Sequence, residues 1–181
     1  MSLSVLIVSE IPLLRPTDPR HAHLLSVRWL LLPHALAGTL ALLSGPIQFS
    51  TRVRRRWLRF HRVLGRVYVF SALTAAVMAL VVGFPSPLFP GTIVQSGAWI
   101  VTTLAALLTA RNRHILQHRQ WMVRSYAVTF TFILLRVLNP WPAWSNMNES
   151  AFTLAICIAT LLAVFVPDIA FSWREITHRR A

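Results

Sequence analysis

The chain has 181 residues, 55% hydrophobic and 13% charged, and its net charge of +13 is carried by arginine alone because lysine is absent. A soluble globular domain holds roughly 25% charged residues, so this composition points to lipid as the solvent and leaves no length for a sizeable soluble domain beside a membrane bundle. The basic excess does not indicate nucleic acid, because most arginines fall in two short connections between apolar segments, where arginine fixes the orientation of membrane helices.

Residues 1–26 read as an N-terminal tail outside the bundle. Their apolar stretch, Leu3 to Val8, is short, lacks a preceding basic residue and is followed by Glu10 and several prolines, unlike a signal peptide. A membrane-crossing helix needs about 20 mostly apolar residues, and five stretches qualify: Val27 to Phe49, Leu64 to Phe84, Thr92 to Ala110, Trp121 to Leu138, and Ala151 to Phe171. Gly45-Pro46 is expected to end the first helix, since proline removes a backbone donor. The fold class is therefore all-α. It is an integral membrane helical bundle of about five transmembrane helices over residues 27–173, with a basic tail at 174–181.

The connections alternate in charge. The first carries Arg52, Arg54, Arg55, Arg56, Arg59 and Arg62, with Arg66 just beyond; the third carries Arg111, Arg113 and Arg119, with Arg124 following. The second, Pro85 to Gly91, has no charge, and the fourth, Asn139 to Ser150, has only Glu149. Positive loops stay in the cytoplasm, which predicts an external N-terminus and a cytoplasmic C-terminus. Arg15, Arg20 and Arg28 run against this and are fewer. Most of the seven tryptophans sit near span ends, where an indole favours the headgroup level. Ala37, Gly38 and Ala41 would allow close helix approach. Cys157 is alone in an apolar run, so no intrachain disulfide is possible.

Ionisable groups within a bilayer are costly and mark sites. His34 lies in span one, Arg124 and Arg136 in span four, and Asp168 near the inner end of span five. Asp168 is expected to pair with Arg124; a solvated helix end is the rival reading for Asp168, and reaching out to the headgroups is the rival for Arg136. His61 precedes span two and His118 precedes span four, both on the inner side, with His114 one turn before His118. Paired neutral imidazoles on different helices of a membrane bundle suit the two axial positions of haem iron, so His61 and His118 are candidate haem ligands, and His34 is a separate ligand or proton-relay group. The rival reading places both inner histidines among headgroups and water. No phosphate-binding glycine loop, zinc spacing or serine elbow is present, and five acidic residues leave little for carboxylate-pair chemistry.

Gly45-Pro46-Ile47-Gln48-Phe49, then His61-Arg62 with Leu64-Gly65-Arg66 and Tyr68, resemble the bacterial membrane-protein family called domain of unknown function 2306. Ala98-Trp99, Thr102-Thr103, His118-Arg119, Trp121-Met122, Arg124-Ser125-Tyr126, Arg136 and His34 continue the resemblance, which covers roughly residues 28–140. It implies a bacterial inner-membrane location and a set of signature positions, and no reaction. Gln48 can serve exposed backbone at the Gly45-Pro46 break, Gly65 can allow close approach, and the faces of His61 and His118 can meet at the inner end beside Arg66 and Arg124. The reading this supports is a haem-binding or electron-transfer membrane protein. The alternatives are a transporter or proton-coupled carrier component, for which a homo-oligomer would complete a pathway, and a structural or regulatory subunit whose arginine loops hold anionic lipid headgroups.

Overall fold

The computed structural model describes residues 28–138 and 141–178, with the side chains of Arg28, Arg136, Ser145, residues 174–176 and His178 outside the description. The tail at 1–26, the side chain of Arg136 and the last arginines of the basic tail therefore lie outside the described residues. Those described form helices and no strand: α1 (Arg28–Phe49), α2 (Thr51–Arg56), α3 (Leu58–Gly83), α4 (Phe89–Arg111), α5 (Ile115–Leu138), α6 (Pro142–Ser145) and α7 (Glu149–His178).

Each expected span coincides with a long helix. Four are long and apolar enough to cross a membrane: Trp29–Phe49, Leu58–Gly83, Phe89–Arg111 and Glu149–Trp173. The fifth, α5, has 24 residues and so reaches about 36 Å, but it is more polar than the others, with Ser125, Thr129 and Thr131 all buried in the bundle.

The basic connections differ from expectation. Helix α3 starts at Leu58, not at residue 64, and α5 starts at Ile115, not at residue 121. Arginine, leucine and glutamine are good helix formers, and an arginine stem lets a helix begin at headgroup depth while its guanidinium reaches water. Between α1 and α3 the chain makes only the short α2, capped where Ser50 Oγ accepts the Val53 N–H at 3.4 Å. Between α4 and α5 it turns over Asn112–His114, with Arg113 in the left-handed region at φ 62°. His61 and His118 thus stand in the first turns of helices, both at the end of the bundle that carries the arginines, called here the arginine end.

Helices α1, α3, α4 and α5 close a ring in which each packs against the next and α5 returns to α1, while α7 lies outside against α4 and α5. The ring interior is lined by small residues, Ala37, Ala41, Ala72, Ala75, Ala76 and Ala106, around Tyr68, Trp99, Met122 and Val128. Lipid tails are as apolar as leucine, so close backbone approach and interhelical hydrogen bonds hold such a ring together better than hydrophobic burial does. Leu32, Leu36, Leu40 and Leu43 of α1 accordingly point outward. Helix α7 meets the ring through Ile156 against Gly91, Ala163 and Val164 against the core, and Asp168 against Arg124. It leaves an apolar groove of about 920 Å³ beside α5, from Val123 and Pro167 to Leu138 and Trp144.

The expected break at Gly45-Pro46 does not occur, and α1 continues through Pro46 to Phe49. Proline at 46 cannot donate to the carbonyl four residues back, which belongs to Leu42. The Tyr126 hydroxyl of α5 donates to that Leu42 oxygen instead, at 3.2 Å. Gly45 makes this possible, since a Cβ there would fall 2.0 Å from Tyr126 Cε2. Phe49 closes the contact edge-on to the Tyr126 ring, centroids 5.5 Å apart.

Candidate functional site

Three groups of polar side chains stand along the ring, each set by helix register. At the arginine end, His61 on α3 and His118 on α5 occupy helices that lie diagonally across the ring. His118 Nδ1–H donates to the Ala106 carbonyl of α4 at 2.8 Å. A carbonyl can only accept, so the neutral ring carries its lone pair on Nε2. His61 Nδ1 is buried without a hydrogen-bond partner among the described residues.

Gln48 is fixed beside this pair. Its Nε2 donates to the His61 carbonyl at 2.9 Å, so it serves the first turn of α3 and not a break in α1. A methyl on Gly65 would meet only the Gln48 amide, at 3.6 Å. That is ordinary contact, so the close helix approach expected of Gly65 belongs to Gly45. Arg62, Arg66, Arg119 and His114 are exposed. Among the described residues no three metal-ligating side chains cluster.

Nearby, Arg124 pairs with Asp168 of α7, the partner expected for it. Its guanidinium also lies over the Trp121 ring, 4.5 Å from the centroid, and 5.8 Å from that of Phe171. Ring faces attract cations, so the charge is held on three sides.

The middle of the ring holds a group that the sequence reading did not assemble. The Tyr68 hydroxyl of α3 reaches Ser125 Oγ at 2.8 Å and Thr129 Oγ1 at 3.1 Å, both on α5. Ser125 Oγ also meets Thr103 Oγ1 of α4 at 2.8 Å. All four side chains are buried. The signal available in sequence was Ser125 and Thr129 at i, i+4 in a lipid-soluble helix, which puts two hydroxyls on one face.

At the far end, His34 Nδ1–H donates to the Ala75 carbonyl at 2.9 Å. Ala75 is fourteen residues beyond His61 on α3, a rise of about 21 Å, so His34 does not join the inner pair. It lines a cavity of about 50 Å³ together with Gly38, Thr39, Trp99, Thr129 and Phe132. That volume suits water and not a porphyrin, and no second histidine among the described residues lines it. Trp99 Nε1 is buried without a hydrogen-bond partner and approaches the Tyr68 hydroxyl without reaching hydrogen-bond geometry.

Over residues 31–174 the chain matches the model of a family described as "Predicted membrane protein (DUF2306)". No curated protein and no solved structure matches it.

Proposed function

Given that the chain belongs to the DUF2306 family of predicted membrane proteins, we propose that it is a haem-binding, electron-transfer protein of the bacterial inner membrane, with His61 and His118 as the residues that would hold the haem. The diagonal placement of these two imidazoles at one end of the helix ring carries the reading. The His118 Nδ1–H bond to Ala106 fixes the tautomer that presents Nε2, as a backbone carbonyl does for many ligating histidines. The buried, unpartnered Nδ1 of His61 is a polar atom for which ligation or a bridging group would supply a partner. Gly65 and Ala106 keep the surroundings small, and the exposed Arg62, Arg66 and Arg119 are suited to the carboxylates of a haem. The bound group would supply one-electron transfer, and the chain would hold it and orient the imidazoles.

On this reading the arginine end faces the cytoplasm. Exposed Arg52, Arg55 and Arg56 on α2 then lie against anionic headgroups, at about 1 kcal/mol each. The test is an absorption spectrum of protein purified in mild detergent from haem-supplied membranes. The expected result is a Soret band that sharpens on reduction and is lost in both His61→Ala and His118→Ala. A spectrum without a chromophore, or one unchanged in both variants, would sink the proposal.

A further inference from the structure

The hydroxyl group in the middle of the ring is continuous with the far-end cavity and not with the arginine end. From Thr103 through Ser125 and Tyr68 to Thr129, each oxygen lies 2.8–3.1 Å from the next. Thr129 also lines the cavity, whose wall includes His34 and Trp99. A water needs about 10–15 Å³ of such space and two to four polar partners, and the cavity, at about 50 Å³, offers both. Trp99 Nε1, buried and unpartnered in that wall, is the kind of donor that internal water satisfies. His34 donates its Nδ1–H to the Ala75 carbonyl, which fixes its ring in the cavity wall.

Toward the arginine end the column stops. One turn from Ser125 on the same helix stands Met122, buried in the core with Ala106, and one turn further stands His118. A thioether and a methyl neither donate nor relay a proton.

The geometry points to a proton half-channel, open to the far side through the His34 cavity and closed at Met122. Within it each hydroxyl oxygen takes a proton on a lone pair and passes its own to the next oxygen, and Thr129, whose O–H donates to the Ser125 carbonyl at 3.0 Å, turns it from that carbonyl to cavity water. Only O–H bonds form and break, and no co-reactant is consumed. The assignment does not rest on haem at the histidine pair, and its test needs none.

Protein in liposomes loaded with a pH-sensitive dye, driven by a potassium diffusion potential, is expected to leak protons no faster than empty vesicles. Met122→Ser places a hydroxyl and room for water between Ser125 and His118, and raises the flux by about an order of magnitude. Adding Tyr68→Phe to that variant returns the flux to the wild-type level. Flux that stays low in a folded Met122→Ser protein, or stays high after Tyr68→Phe, overturns the proposal. The wild-type chain gives a second reading that needs no Met122 variant. The Trp99 indole N–H, assigned by Trp99→Phe, exchanges with deuterated water within minutes despite its burial, and His34→Leu slows it by about an order of magnitude. An indole that stays protonated for hours overturns the proposal as well.

Discussion

Gly45→Ala is expected to destabilise the bundle by about 1–3 kcal/mol, the usual cost of forcing a methyl into a filled core. The added carbon would sit 2.0 Å from the Tyr126 ring. That ring has little freedom to move away, because its hydroxyl is bonded to the Leu42 carbonyl and its face is met by Phe49. Either the ring shifts and the Leu42 oxygen loses its donor, or α1 backs away from α5. The mechanism has a signature beyond the loss itself. In a Tyr126→Ala background the obstacle is gone, so adding Gly45→Ala costs little more. Thermal unfolding in detergent of the four proteins, followed by tryptophan emission, measures this coupling. Equal costs of Gly45→Ala in both backgrounds would show that the clash is not its cause.

Asp168→Asn ranks second, at about 1–3 kcal/mol. Breaking a wholly buried ion pair by removing one partner costs about 3–5 kcal/mol, but Asp168 is 40% exposed against 13% for Arg124, and exposed pairs are worth much less. What remains is mainly the cost of Arg124 left without its carboxylate. The Trp121 and Phe171 rings still face the guanidinium and limit the loss. The double variant Arg124→Gln with Asp168→Asn removes the stranded charge and recovers part of the stability. A double variant less stable than Asp168→Asn alone would contradict this account. Because the pair ties α7 to α5 near one end of α7, the single variant also loosens that end, read as faster proteolysis beyond Asp168.

The residues that announced the fold did so through cost. Five long apolar runs have few alternatives to crossing a bilayer, and Asp168 and Arg124 had few partners besides each other. The helix ends were less legible. Arg59, His61, Arg62 and His114 are compatible with both helix and connection, and nothing in the run marks where headgroups begin. Gly45-Pro46 misled because the rule for proline describes a helix on its own, whereas the missing donor arrives from Tyr126 on another helix. That His61 and His118 share an end could be read from charge alternation; that their helices lie diagonally could not. The hydroxyl column was hidden for a different reason. Threonine in an apolar helix commonly bonds its own backbone, as Thr39 does to Ala35 and Thr102 to Ala98. Only the ring geometry separates those from Thr103 and Ser125, which reach across.

The loan of a tyrosine hydroxyl to α1 also bears on how the protein is made. The Leu42 carbonyl and its donor are 84 residues apart in the chain, so α1 leaves the ribosome long before Tyr126 exists. Until α5 emerges, α1 holds a carbonyl that Pro46 cannot satisfy, and hydrocarbon penalises such a group by several kcal/mol. The nascent first helix therefore gains from the hydrated, shielded environment of the insertion machinery until that donor arrives. Its final seating in lipid is then expected to follow the arrival of the fourth long helix, which brings the Tyr126 hydroxyl to Leu42.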